Sequence, residues 1–384
     1  MPTYDIFTNH DCNLACTYCF EHCKTNRVNS LSDCCDFLES CYRRDFPLKE
    51  GVVVELIGGE SLLHPELCGG IAQKALELDE EYKAPRPFVM HITTNGTLFD
   101  RADVAAFLHA WKDHLAFGFS IDGTKGNHDA CRVDRAGRGS YDRAVRGWEM
   151  VRSVIPPCRL TVKSTYTHET IGSYSDGVIN LVELGFTDIG ANGVYEEDWP
   201  DGDAELILPH LERVVDFLFD HGLENRVHVF QVNAGDLDLS KGVPMGKSRQ
   251  NYCGTCTHMR TLGFDRKLYG CHRFATLGEP MPIGELAADG RQVITDAGLM
   301  QKAGNMWLKR PKECRECHLG AVCPGCVVAA FEYDREHPER YCGKFRQCGW
   351  AVAMTAARMY FRERLGGRER GGNGENQRLR GVSD

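Results

Sequence analysis

The sequence predicts an α/β protein: an open, partial (β/α)6 barrel of the TIM type, followed by a small cysteine-rich domain. Three observations carry this expectation. Short β-rich runs alternate with helical patterns over the first 235 residues, as βα units on a parallel sheet do. Six such units are too few to close an eight-stranded barrel. Beyond residue 235 the alternation stops and cysteines crowd the chain.

The strand-like runs are Tyr4–Thr8, Val52–Ile57, Phe88–Thr93, Leu115–Ile121, Arg159–Thr165 and Asp188–Val194. Helical patterns fall between and after them at Leu31–Arg44, Pro65–Tyr82, Arg101–Asp113, Tyr141–Val154, Tyr174–Leu184 and Ala204–His221. The expected domains are 1–235 for the barrel and 236–364 for the cysteine-rich region. The latter holds a hairpin-like stretch, Thr261–His272, and ends in a helix, Gly343–Arg364. Residues 365–384 carry almost no apolar side chain and read as a disordered tail.

The net charge of −9 over 384 residues gives no electrostatic footprint for general nucleic-acid or anionic-membrane binding. No stretch is long and apolar enough to span a bilayer, and no secretory signal is visible, so a cytoplasmic location is expected. The outlier is cysteine, with 19 residues. An odd count without an export signal favours metal binding over a disulfide framework.

Cys12-Asn-Leu-Ala-Cys16-Thr-Tyr-Cys19 follows the first strand directly. Three thiolates on one loop hold three corners of a [4Fe–4S] cube and leave one iron open for a ligand; a zinc loop is the bland alternative. Polar groups follow at the C-terminal ends of the next strands, where parallel βα folds place their chemistry. These are Gly58-Gly59-Glu60, then Thr94-Asn95, then Ser120-Ile121-Asp122, with His128-Asp129-Ala130-Cys131-Arg132 just beyond. Glycines 58 and 59 let a ligand approach the backbone closely. Glu60 suits a ligand ammonium, or else caps the following helix. Arg132 suits a carboxylate, or else is a solvated charge.

This order resembles the radical S-adenosylmethionine superfamily: CNLACTYC matches its CxxxCxΦC motif, GGE its methionine-amine segment, and SIDG with HDxxR its ribose and carboxylate segment. The resemblance implies that Cys12, Cys16 and Cys19 ligate the radical-generating cluster. It implies that Tyr18, Gly58, Gly59, Glu60, Thr94, Asn95, Ser120, Asp122 and Arg132 hold S-adenosylmethionine. A 5′-deoxyadenosyl radical would then abstract hydrogen from a substrate, with the cofactor supplying the difficult chemistry.

The second array is Cys253, Cys256 and Cys271, then Cys314, Cys317, Cys323 and Cys326, then Cys342 and Cys348. Its Cys-x2-Cys steps suit zinc or iron–sulfur centres equally. The array resembles the SPASM extension, which carries two auxiliary [4Fe–4S] clusters. The resemblance implies one held by Cys253, Cys256, Cys271 and Cys326, and a second by Cys314, Cys317, Cys323 and Cys342. Three clusters in all are expected. Cys348 is surplus and competes with Cys342 as last ligand. Arg266 stands where the SPASM pattern usually has glycine, and two residues rather than three separate Cys323 from Cys326. Most remaining cysteines read as small buried residues, with Cys131 the candidate for reactivity.

SPASM enzymes mostly modify peptides, and the chain looks most like their peptide-crosslinking maturases. The expected partners are a ribosomal precursor peptide and an electron donor such as flavodoxin or ferredoxin. Only 11 residues precede Cys12, so a separate leader-binding protein is a further expectation. Sulfatase-maturing relatives carry a basic aspartate after the third SPASM cysteine. Here it is His272, read as a catalytic base or as a hydrogen-bond donor to a cluster sulfur or backbone group. Formylglycine formation, a small-molecule radical dehydrogenase and a non-catalytic metal scaffold are the alternatives. The acidic run from Glu196 to Asp203 reads as a solvated loop or a cradle for a basic peptide.

Overall fold

The computed structural model describes residues 1–21, 24–233, 253–277, 279–304, 314, 316–319, 326, 328 and 347–378, with side chains up to 367. Six parallel strands follow the order read from the sequence: β1 (Thr3–Asn9), β2 (Val53–Gly58), β3 (Val89–Thr94), β4 (Leu115–Ser120), β5 (Leu160–Tyr166) and β6 (Asp188–Gly193). The matching helices are α1 (Leu31–Asp45), α2 (Pro65–Glu81), α3 (Ala102–Trp111), α4 (Lys125–Cys131), α5 (Tyr141–Arg152), α6 (Tyr174–Glu183) and α7 (Ala204–Asp220). Helix α4, which carries the HDxxR residues, escapes the sequence pattern because a seven-residue helix is too short to show periodicity. Thr124 caps it, its Oγ1 accepting from the Asn127 N–H at 3.4 Å.

Two further parallel strands extend the barrel. Strand β7 (His228–Val229) joins β6, and β8 (Met259–Leu262) joins the far side of β1. Strand β8 turns antiparallel into β9 (Lys267–Tyr269), and β10 (Gly284–Leu286) and β11 (Gln292–Ile294) complete the sheet. The resulting order is β11-β10-β9-β8-β1-β2-β3-β4-β5-β6-β7, so β1 lies inside the sheet although it begins the chain. The expected hairpin is β8–β9. Its turn places Asp265 and Arg266 at positive φ, 55° and 58°. The Arg266 guanidinium offsets that strain by gripping Asp33 and Asp36 of α1 and the carbonyls of Leu286 and Ala287.

Each barrel strand buries one face under the helices and turns the other to the lumen. Tyr4 and Ile6, Val54 and Leu56, Met90 and Ile92, and Phe117 and Phe119 are fully buried on the helix side. Asp5, Glu55 and His91 stand opposite one another in register on the lumen side, with Lys163 on β5. Helices α8 (Ala297–Gly304) and α9 (Cys348–Arg378) complete the described elements. Helix α9 packs on α7, with Tyr360 and Arg364 bonded to Asp216. It runs on past Arg364 into the stretch that composition assigns to disorder. Composition reports the lack of a buried face, which a helix lacking one shares with a coil. The expected helix start at Gly343 lies outside the described residues.

Phe119 meets Phe99, Trp148 and Phe186 at centroid separations of 5.8, 5.5 and 6.2 Å. Phe119→Ala should cost about 3–5 kcal/mol, seen as a lower urea midpoint of the metal-free protein with unchanged slope.

Candidate active site

The Cys12–Cys19 loop leaves β1 and is stapled on both sides. Ala15 N–H donates to Val133 O at 2.7 Å and Thr17 N–H to Cys131 O at 3.0 Å, beyond helix α4 and at its last residue. On the other side Gly59 N–H donates to Asn9 O and Glu60 N–H to Asp11 O, both at 2.9 Å. Glycine at 58 and 59 is required by the chain's own packing. A Cβ on either would collide with the carbonyl of Asn9 or Asp11, so the close approach is made by the chain's own backbone.

Glu60 is buried and both its oxygens are engaged. Oε1 accepts from Thr94 Oγ1 at 2.8 Å and from Leu62 N–H at 3.4 Å, and Oε2 accepts from Asn95 N–H at 2.8 Å. The capping reading is thus the one the geometry meets: Glu60 ties the end of β2 to the end of β3. Burial pushes its carboxyl up to about 7. Asn95 in turn faces the thiol loop, with Nδ2 2.9 Å from Asn13 Oδ1 and 3.9 Å from Cys12 Sγ. Cys12 is buried and its thiol is pushed up to about 12 by burial.

Asp122 is the hub at the end of β4. Its Oδ2 accepts from Tyr18 OH and, at 2.8 Å, from Arg132 Nε; its Oδ1 accepts from Thr165 N–H at 3.0 Å. The Arg132 guanidinium lies 5.4 Å from the Tyr18 ring centroid. Asp122 thus takes three protein donors, two on Oδ2 and one on Oδ1, which leaves one acceptor position on Oδ1. Arg132 uses Nε on Asp122, and among the described residues its Nη groups have no hydrogen-bond partner, which leaves them for a carboxylate. Ser120 stands half-buried beside Asp122, at the lumen end of β4. His128 holds the segment from below: Asp122 N–H donates to its Nδ1 at 3.2 Å, and Nε2 lies 2.9 Å from Ser140 Oγ.

Several residues of the site carry no motif in the sequence. Lys24 reaches the thiol loop, donating to Leu14 O at 3.2 Å. Burial opposes its charge, yet Cys12, Cys19 and Cys16 hold its pKa above the ordinary lysine value. The lumen row of Asp5, Glu55, His91 and Lys163 escapes the sequence reading too, although a charged residue at the centre of an otherwise apolar strand run is its visible signal. His91 Nδ1 lies 3.4 Å from Glu55 Oε1. Burial, Arg273 and Arg132 lower the Lys163 pKa against the pull of Glu55.

The C-terminal region forms the other wall. Cys256 adopts φ 59° and its N–H donates to Gly270 O at 3.1 Å, which sets it beside Cys271. A Cβ on Gly270 would collide with Cys256 Sγ. Cys253 Sγ lies 3.0 Å from Thr255 Oγ1, and among the described residues no three Cys, His, Asp or Glu side chains are gathered closely enough to hold a metal ion. Cys253, Cys256, Cys271 and Cys326 offer sulfur donors alone, the type an iron–sulfur cube takes. Cys314 and Cys317 are described, but Cys323 and Cys342 lie outside the described residues. His272 turns into the lumen, its Nδ1 3.5 Å from Asp5 Oδ2, rather than toward a sulfur. Arg273 pairs with Glu196 and lies over the rings of Phe20 (5.0 Å) and Tyr195 (5.6 Å). Glu197 and Asp203 both bond His168, at 2.9 Å each, so this part of the acidic run is engaged within the chain.

The fold and the thiol loop are similar to those of radical S-adenosylmethionine enzymes with a SPASM extension. The chain matches no protein-family model. It is 29% identical over 354 residues to a cysteine-type anaerobic sulfatase-maturating enzyme of Clostridium perfringens, covering 88% of this chain and 92% of that one. It is 24% identical over 351 residues to a serine-type enzyme of Klebsiella pneumoniae, covering 87% and 82%. Among solved structures, a tagged form of anSMEcpe with bound AdoMet superimposes with a TM-score of 0.67 at 19% identity, covering 95% of this chain and 98% of that one. Streptococcus suis SuiB bound to its precursor peptide SuiA gives 0.56 at 17% identity, covering 86% and 72%. Among the described residues no helix is long and apolar enough to cross a membrane.

The hub can be tested through stability. Asp122→Asn strands the Arg132 charge and should cost about 3–5 kcal/mol in urea unfolding. His128 is held neutral, its pKa lowered to about 3 by burial first and by Arg132 second. The unfolded chain therefore takes up this proton near pH 6.5 and the folded chain does not. Stability should fall as pH drops from 6.5 to 4, by about 3 kcal/mol through this group, and His128→Gln should flatten that slope.

Proposed function

We propose that the enzyme oxidises a residue of a ribosomal peptide by two electrons and closes a crosslink, a thioether or a carbon–carbon or ether bond. The observation that carries this reading is the shared wall of the lumen. Phe20, next to Cys19, lies 6.3 Å from the His272 ring, and Arg273 covers it at 5.0 Å. The proposed radical centre and the proposed first auxiliary centre at Cys253, Cys256, Cys271 and Cys326 thus face one space.

When bound, S-adenosylmethionine and the cluster on Cys12, Cys16 and Cys19 supply the hydrogen-abstracting radical. The chain positions everything else. Asn13 and Asn95 brace the thiol loop, and Lys24 offsets its negative charge. Asp122 fixes Tyr18 and holds Arg132, whose guanidinium, with Ser120 nearby on the same strand end, would take the methionyl carboxylate. Arg273, Tyr195 and the lumen row line the space for a substrate side chain. His272 keeps Nδ1 toward Asp5, which leaves Nε2 to accept the proton released as the new bond forms. Loss of two hydrogens leaves one electron after abstraction, and an auxiliary cluster beside the substrate suits its removal. A flavodoxin or ferredoxin as reductant, a separate leader-binding protein and a cytoplasmic location complete the reading.

A second reading is formylglycine formation. It is favoured by the sulfatase-maturating relatives and by His272 standing in the lumen directly after Cys271. The anSMEcpe complex with Cp18Cys peptide (TM-score 0.61, 20% identity) supports a peptide as substrate under either reading.

Anaerobically reconstituted protein should hold about twelve irons, and exchanging Cys12, Cys16 and Cys19 for Ala should remove about four. With dithionite and S-adenosylmethionine it should release 5′-deoxyadenosine, and Cys16→Ala should abolish this. Glu60→Ala should weaken release by freeing the Thr94–Asn95 turn. Peptides bearing Cys or Ser should become about 2 Da lighter, with label transferred from the substrate to 5′-deoxyadenosine. An aldehyde trapped by a hydrazide would replace the crosslink reading with the second one. Zinc in place of iron would remove both.

A further inference from the structure

His168 follows β5 at the mouth of the barrel and meets a carboxylate at each ring nitrogen. Nδ1 lies 2.9 Å from Glu197 Oε2, and Nε2 lies 2.9 Å from Asp203 Oδ2. The backbone N–H of His168 donates to the same Glu197 oxygen at 2.9 Å. The ring lies flat on buried Trp199, with centroids 3.8 Å apart and planes 14° apart. Trp199 is fixed from behind. Its Nε1 donates to Val194 O at 3.0 Å, its carbonyl accepts from Gly349 N–H at 2.9 Å, and the Trp350 ring meets it edge-on at 5.6 Å. Among the described residues Glu197 and Asp203 are the charged groups that face the His168 ring, and neither has a Lys or Arg partner.

An imidazole donates at both nitrogens only when it carries the second proton. A neutral ring has one N–H, so one of the two carboxylates would face a lone pair. The geometry therefore asks for an imidazolium. Burial works against that charge, but the bonds to Asp203 and Glu197 outweigh it and raise the His168 pKa above the ordinary 6.5. The clasp is thus complete below about pH 6.5 and is lost as pH rises through the raised pKa. Its reach extends to the lumen. Glu196, next to Glu197, pairs with Arg273, and Arg273 lies over the rings of Phe20 at 5.0 Å and Tyr195 at 5.6 Å. Tyr195, Glu196 and Glu197 are consecutive, so fixing Glu197 fixes the residues that hold Arg273.

We propose that protonated His168 is a pH-sensitive clasp: it ties the loop 195–203 to the end of β5 and, through Glu196, keeps Arg273 against the lumen wall. The clasp is independent of which reaction the lumen carries out. His168 is a positioning residue, since it touches the loop and not the lumen. When the ring loses its charge, one carboxylate is repelled and the Glu196–Glu197 segment loosens. Arg273 is then free to turn toward another anion. Trp199 stays packed on Trp350, so the movement is confined to the segment ahead of it.

The test reads the access of a reagent to Arg273 in the full-length, anaerobically reconstituted protein. Phenylglyoxal is applied at steps from about pH 6 to about pH 9, on either side of the ordinary histidine range. Mass spectrometry then gives the modification of Arg273 relative to Arg291, whose side chain is 73% exposed against 15% for Arg273. The ratio cancels the reagent's own pH dependence. In wild type it should climb about two- to fivefold, the range an exposed ion pair commands, with its midpoint above 6.5. His168→Gln, which never carries the charge, should show the high ratio at every pH. Asp203→Asn lets a neutral ring donate to Glu197 and accept from the new amide, so it should show the low ratio at every pH. A packing role alone would not move two variants of one contact in opposite directions. Absence of a step in wild type would overturn the proposal. So would a step that persists unchanged in His168→Gln, which would place the titrating group elsewhere.

Discussion

One buried carboxylate organises the mouth of this barrel. Asp122 draws Tyr18 from the thiol loop, Arg132 from the end of α4 and the backbone of β5 onto two oxygens. The thiol loop has no regular secondary structure of its own. Its shape is borrowed from this carboxylate on one side and from the glycine contact with β2 on the other. Both supports are short-range and directional, so small errors at the ends of β2 or β4 would pass directly into the spacing of the three thiols. Precision of that kind is what a loop-borne catalytic centre needs from a rigid scaffold.

Much of this was legible in the sequence, and the reasons differ by residue. The six barrel strands show as apolar runs because parallel strands are covered on the helix face. The thiol spacing shows because it is local. Roles that depend on contacts between distant segments do not show. The sequence does not show that Asn9 and Asp11 press against Gly58 and Gly59. Nor does it show that Thr94 and Asn95 donate to Glu60. Lys24 has no motif at all, since its meaning lies wholly in the fold of the loop it faces. Arg266 stands at a position that calls for glycine, and only the structure reveals the grip on α1 that makes an arginine tolerable there.

The lumen carries its charges in a pattern unlike the rest of the interior. Asp5, Glu55, His91 and Lys163 line the wall with both signs represented, and Arg273 with Glu196 closes the row. A reactive radical calls for a dry, close-fitting chamber, whereas a polar substrate backbone calls for hydrogen-bonding partners. His91 pairs with Glu55 at 3.4 Å, whereas Oδ1 of buried Asp5 has no hydrogen-bond partner and is left for an incoming donor.

Strand β1 pairs on one side with β2, about fifty residues away, and on the other with β8, more than two hundred and fifty residues away. A nascent chain therefore exposes one edge of its first strand through the synthesis of nearly two thirds of the protein. The thiol loop hangs from that strand, beside an edge still open to pairing with other chains. Closure by β8 completes the sheet and brings Cys253, Cys256 and Cys271 alongside in the same event. The register that buries the first strand is thus also the one that carries the second thiol set to its side of the barrel.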